Sequence, residues 1–380
     1  MKKDWTYKKL IDVCGIQYGY PFDSKCFTED NTYPALIRIR DVVRGYTETF
    51  YKGDVPEEYY VQKGEYLIGM DGEFNIAPWR SEKALLNQRV CKIFSITSNV
   101  DIQFVYYSLQ RQLKQIEDET PFVTVKHLSA KRLNQIELPI PPLSIQRSIV
   151  AELDLLHSMI EKKNEQLYEL DNLAQSLFYQ MFGDPITNPM GWEIKKMGEV
   201  GIFERGKGIS KSDFVDDGVP CVHYGQLHTA FGAYTTKHLA CIPESLIDNP
   251  RIAHPGDVLL ALTSEDVEGS CKSTAWYGDY DVIVGSDAAV YHHNQDGMYI
   301  SFYTRTEAFY KQKEKYAHGF KVTHISTKDI ETFTIPLPPL SLQQSFAAKI
   351  EAIEAQKALV RQSIEEAHTL LAARMQYYFE

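Results

Sequence analysis

Paired cysteines, long apolar runs and excess positive charge are all missing from this 380-residue sequence. Its six cysteines (Cys14, Cys26, Cys91, Cys221, Cys241 and Cys271) stand singly, with no CxxC pair and no histidine at zinc-finger spacing. Neither a disulfide framework nor a metal site is expected from such spacing. No stretch approaches the roughly 18 apolar residues of a membrane span, and the opening MKKDWTYKKLIDVC lacks the apolar core of a signal peptide. No membrane partner is expected, and cytoplasmic residence is the default. Lys and Arg number 40 against 51 Asp and Glu, a net charge of -11 that argues against wrapping nucleic acid unaided. The distribution softens this. Residues 1–142 hold 19 basic and 19 acidic side chains, whereas residues 183–340 hold 14 and 21.

Several chemistries lack their signatures. A nucleotide-hydrolysing motor needs a glycine-rich phosphate loop ending in Gly-Lys-Ser or Gly-Lys-Thr. The nearest string, Gly206 to Ser212, has the wrong spacing and reads as a basic loop. No alternation of strands and helices around a Gly-x-Gly turn suggests a dinucleotide or methyl-donor fold. Asn188-Pro189-Met190 and Asn249-Pro250-Arg251 lack the second proline and the aromatic of an adenine methylation loop. Histidines crowd the second half (His223, His228, His238, His254, His292, His293, His318 and His324), which keeps a hydrolase centred on His292 and His293 as a distant reading. The first globular segment has only His127. No catalytic residue, metal ligand or cofactor is expected.

What the chain does contain, it contains twice. LPIPPLSIQ at Leu138 to Gln146 and IPLPPLSLQ at Ile335 to Gln343 lie 197 positions apart, and Val125 to Ser129 aligns with Val322 to Ser326 at the same offset. Upstream, Trp5 with Lys8, Lys9 and Leu10 matches Trp192 with Lys195, Lys196 and Met197, while Gly64 to Leu67 matches Gly256 to Leu259. Offsets there shift to 187 and 192, as loop insertions require. A unit of this length is too long for a solenoid repeat and implies two similar modules related by an approximate two-fold axis. Each mixes short strands (Ala35 to Ile39, Tyr66 to Gly69, Val90 to Ile96; Val258 to Leu262, Asp281 to Val284, Ala288 to His292) with a later helical pattern at Ile102 to Ile116 and Met298 to Tyr316. The expected class is therefore α+β.

Prolines close each globular segment, with Ser144 and Ser341 at the expected helix N-caps. From there Ile149, Leu153, Leu156, Ile160, Leu167, Leu170, Ala174, Leu177 and Met181 recur every three or four residues, interrupted by Lys163. Phe346, Ile350, Ile353, Val360, Ile364, Ala367 and Leu371 repeat the stripe, interrupted by Lys357. These are coiled-coil seams, and antiparallel pairing would bury both along a rod of roughly 60 Å. Gly183 and Pro185 mark the end of the first helix. The expected division is 1–142 and 183–340 for two globular domains, 143–182 and 341–380 for two helices.

The doubled plan of a domain opened by Trp and a basic-apolar motif, then I/L-P-x-P-P-L-S-x-Q and a coiled-coil helix, resembles the specificity subunit of Type I restriction-modification systems. The resemblance spans the chain. It implies two pseudo-symmetric target-recognition domains separated by two long antiparallel helices, each domain reading one half of a split, asymmetric double-stranded DNA site. It also implies a non-catalytic subunit that recruits two methyltransferase and two ATP-dependent restriction subunits. Base readout needs side chains that reach groove edges from loops. The candidates are Tyr20, Lys25, Arg38, Arg40, Asp71, Arg80, Arg89 and Lys126 in the first domain, with Lys207, Lys211, His223, Tyr224, Gln226, Thr263, Ser264 and Lys321 in the second. Low identity between the halves implies unlike half-sites. The alternative is a coiled-coil scaffold presenting two protein-binding domains without DNA.

Overall fold

A computed structural model of the chain describes residues 5–120, 126–316 and 323–379. It divides into two compact units, Met1–Lys163 with Ser363–Glu380, and Asn164–Gln362.

In the first unit, strand Thr6–Lys9 pairs antiparallel with Glu137–Ile140, so the repeated proline string closes the domain against its own opening strand. Between them lies an antiparallel sheet in the order Cys14–Tyr18, Val90–Ser95, Tyr66–Gly69, Ile76–Pro78. A second sheet of five short strands contains the parallel pair Ala35–Ile37 and Ala84–Leu86. Helix Ile102–Glu119 starts at Asp101, whose carboxylate accepts the backbone N–H groups of Gln103 and Phe104. It buries Val105, Leu109 and Leu113 against Leu10, Ile68, Cys91 and Leu138.

The second unit repeats this topology. Glu193–Lys196 pairs with Thr334–Leu337. Gly201–Arg205, Ala288–His293, Val258–Ala261 and Ser273–Trp276 follow in the same sheet order, and Val219–Val222 pairs parallel with Val282–Val284. Gly19 and Gly206 occupy equivalent turns: a Cβ on either would lie 2.0 Å from a carbonyl oxygen, of Asn87 and Gly285 respectively. No other residue fits so close a backbone approach. The expected helix over Met298 to Tyr316 is instead two, Gly297–Tyr303 and Glu307–Lys313, followed by a 3-10 turn. Thr306 interrupts the run because its hydroxyl accepts the Phe309 N–H and caps a new helix. The strand expected to reach Ile39 ends at Ile37, because the buried Asp41 carboxylate takes the Arg38 N–H at 2.8 Å and turns the chain.

The two long helices run over Leu143–Phe182 and Leu340–Phe379. Ser144 and Ser341 lie inside their first turns rather than capping them. Pro142 and Pro339 supply the carbonyls that accept the first helical N–H groups, from Ile145 and Gln146 and from Leu342 and Gln343. Within the first unit Ile149 and Leu153 are buried with Leu371, Met375 and Phe379 packed on them, and Glu152 bonds Arg374 and Tyr378. In the second unit Phe178 and Phe182 pack on Phe346, and Asp171 bonds Lys357. In the second unit rising numbers on one helix meet falling numbers on the other, so the pairing is antiparallel. Phe178, absent from the expected stripe, is the largest fully buried side chain of the first long helix.

The joint between domain and helix has one device in two copies. Gln146 and Gln343, the last residues of the repeated strings, are completely buried. Gln146 Nε2 donates to the Pro141 and Asn99 carbonyls at 2.7 and 3.0 Å, and its Oε1 accepts the Asp101 N–H at 2.8 Å. Gln343 Nε2 donates to the Pro338 carbonyl and Gln295 Oε1, both at 2.8 Å, and its Oε1 accepts the Asp296 N–H at 3.0 Å. Each amide thus ties the proline run to the N-cap residue of a domain helix.

Candidate nucleic-acid interface

Matching backbone bonds gather three chain segments at one edge of each domain. In the first, Met70 N–H donates to the Arg89 carbonyl (2.9 Å) and Leu128 N–H to the Met70 carbonyl (2.7 Å), so Asp71, Arg89 and His127 become neighbours. In the second, Leu262 N–H donates to the Asp287 carbonyl (2.8 Å) and Ile325 N–H to the Leu262 carbonyl (3.0 Å), which gathers Thr263, Asp287 and His324. The side chains differ on this shared frame. Asp71 holds His127 Nδ1 at 2.5 Å and Arg89 Nε at 3.3 Å. Thr263 Oγ1 lies 3.1 Å from His324 Nδ1, while Asp287 pairs at 3.1 Å with Arg205 from the neighbouring strand.

The other candidates of the first domain fall into different environments. Arg38 and Arg40 are exposed and line a cavity of about 900 Å³ with Thr28, Asn31 and Thr47. Lys25 is exposed beside the Asp23 cap. The Tyr20 ring lies against Phe22 and Tyr59, and Arg80 is exposed with its stem against Gly45. Lys126 is turned inward: its ammonium donates to the Glu117 carbonyl at 2.7 Å.

In the second domain Lys207, at the position equivalent to Tyr20, reaches Asp248. His223 is buried and spends its ring nitrogen on the Gly225 N–H, while Gln226 accepts the His223 N–H, so the pair caps helix Tyr224–Thr229. Burial, then the nearby Lys211 charge, pushes the His223 pKa down. Tyr224, Thr263 and Ser264 line a cavity of about 910 Å³. Lys321 lies outside the described residues. The same cavity contains Lys272, Arg305 and Lys313, which sequence reading passed over. Each donates to backbone carbonyls (Lys272 to His228, Arg305 to Gly232 and Ser273, Lys313 to Glu268 and Ser270), and burial lowers all three pKa values. No pattern flags them, since only the fold brings them together.

His292 Nδ1 meets Asp257 at 2.8 Å, and that carboxylate also accepts the His254 N–H, which closes a turn. Among the described residues no three His, Cys, Asp or Glu side chains are placed to hold a metal ion, and no helix is long and apolar enough to cross a membrane.

The family model for the Type I restriction modification DNA specificity domain matches the chain twice, over residues 2–171 and 189–369. The chain belongs to this family. It is 37% identical over 191 residues to the Type I restriction enzyme EcoBI specificity subunit of Escherichia coli, a match spanning 50% of this chain and 40% of that protein. It is 22% identical over 358 residues to the MjaVIII specificity subunit of Methanocaldococcus jannaschii, covering 88% of this chain and 79% of that one. The solved S subunit from M. genitalium superposes with a TM-score of 0.55 at 12% identity, covering 98% of this chain and 95% of that one. A chain from a structure on type I R-M complex assembly and conformational transition gives 0.57 at 18%, covering 99% and 97%. These structures share the fold: two α+β domains and two long helices. Membership in the DNA specificity family disfavours the scaffold alternative. Within it, the signal that was available for His127 and His324 is their alignment across the repeat; Arg205 and Asp287 had none, because they meet only through strand pairing.

Proposed function

We propose that this chain is the DNA-recognition subunit of a Type I restriction-modification complex, each domain reading one half of a split double-stranded site. The observation that carries this is the repetition of one domain topology with different side chains on equivalent exposed edges, which is what two unlike half-sites require. In this reading the chain performs no catalysis and works in the cytoplasm. Two methyltransferase subunits modify adenines within the site, and two ATP-dependent subunits translocate and cut. Arg38, Arg40, Lys25, Tyr20 and Arg80 in the first domain and Lys207, Lys211 and Tyr224 in the second contribute contacts to the duplex. The partners supply positive surface that a chain of net charge -11 does not.

The test is co-expression with the methyltransferase subunit and methylome sequencing of the host. One split, asymmetric, adenine-methylated motif that vanishes when this gene is deleted is expected. Active partners without such a motif would overturn the reading.

A further inference from the structure

We propose that the edge holding Arg89 in the first domain and Arg205 with Asp287 in the second is a base-reading station, each presenting an aspartate-held arginine to a guanine. The proposal rests on the DNA-recognition reading and adds to it the residues and the base class.

Three observations support it. The two stations are equivalent by backbone bonding, yet the arginine comes from different places. In the first domain it stands at residue 89 and the carboxylate comes from Asp71 across the turn. In the second the carboxylate stands at the equivalent residue 287 and the arginine comes from the end of strand Gly201–Arg205. The charge pair is kept while its polarity on the frame is exchanged.

Arg89 and Asp287 both adopt positive φ, 72° and 59°, among only five described non-glycine residues that do. Arginine is poorly suited to that conformation, and glycine would occupy it without steric cost. The left-handed turn is kept at equivalent positions of both domains; aspartate tolerates it, whereas an arginine retained there at residue 89 fits a side chain needed at that place.

Both arginine side chains are also more than half exposed, at 55% and 56%, although each is held by a carboxylate. Asp71 engages Nε of Arg89 and His127 Nδ1 lies 3.4 Å from its Nη1, which leaves Nη2 without a protein partner among the described residues, while Asp287 engages Nη2 of Arg205; each guanidinium is thus held on one side. A guanidinium oriented in this way matches the O6 and N7 acceptors that guanine displays in the major groove. His127 sits beside the first station as a positioning residue, its Nδ1 at 2.5 Å from Asp71 and 3.4 Å from Arg89 Nη1.

The test uses the full chain assembled with its methyltransferase partner, a duplex panel varying every base of both half-sites, and the methylome as a second readout. Arg89→Gln should relax discrimination for guanine at one position of one half-site by about 5- to 150-fold while the other half-site is read unchanged. Arg205→Gln should do the converse. Asp71→Asn should weaken the Arg89-dependent preference at the same base. The untouched half-site reports folding within the same molecule. If the wild-type complex methylates a split motif and both arginine variants leave every base preference unchanged, or weaken all sequences equally as phosphate contacts would, the station is overturned while the broader reading stands. If the wild-type complex methylates no split motif, the broader reading itself fails.

Discussion

Single side chains hold the joints. Replacing Gln146 with Ala would strand the Asp101 N–H and the Pro141 carbonyl in a dry site, and replacing Gln343 would do the same to Asp296 and Pro338. Each loss should cost about 1–3 kcal/mol, read as a lower unfolding midpoint for the unit containing it. His293 supplies a pH-dependent term. Burial pushes its pKa from 6.5 down to about 4, and its Nε2 is enclosed without a partner. The unfolded chain therefore takes up a proton near pH 6.5 that the folded one refuses. Stability from this residue is full above pH 6.5 and declines toward pH 4. His293→Asn, which keeps an acceptor for the Gln295 N–H, should flatten the dependence of the melting temperature across that window.

At the scale of elements, Lys357 interrupts an otherwise apolar stripe yet is buried, its ammonium held by Asp171 at 2.6 Å and Glu354 at 2.5 Å. Burying a charge is costly even when it is paired, and such groups often fix register rather than add stability. Lys357→Met should leave the melting temperature unchanged or raise it, whereas Lys357→Ala should lower it by leaving a cavity. A fall with methionine would assign the ammonium a net stabilising role. The stripes were legible because periodicity of three and four residues is local. The break at Thr304 to Thr306 was not, since Tyr310 and Phe309 keep an apolar rhythm through it and only the capping bond of Thr306 divides the helix.

For the whole molecule, the charge balance of the chain leads to a measurable expectation. DNA affinity of this subunit without partners should be weak and should fall by about tenfold or more between 50 and 200 mM salt, because phosphate contacts release counterions. A flat salt response would remove backbone contacts from the account. Inserting seven residues, two helical turns, into both long helices should change the gap tolerated between half-sites in the assembled complex. An unchanged gap in the methylome would refute a spacing role for the helices.

Duplication, the proline-to-helix junctions and the α+β class were determined by the sequence itself, because repeated strings and hydrophobic periods are properties of neighbours along a chain. Tertiary structure decided which residues form the reading edge. Asp71, Arg89 and His127 are separated by loops and strands and come together only when the backbone bonds of Met70 and Leu128 are made. Arg205 and Asp287 lie 82 positions apart and meet only across a sheet edge. Candidates chosen by type were divided the same way: packing turned Lys126 and His223 inward to satisfy backbone groups and left Arg89 half exposed beside Asp71. Whether a polar side chain faces a partner or a carbonyl depends on contacts between distant segments, which local patterning does not encode.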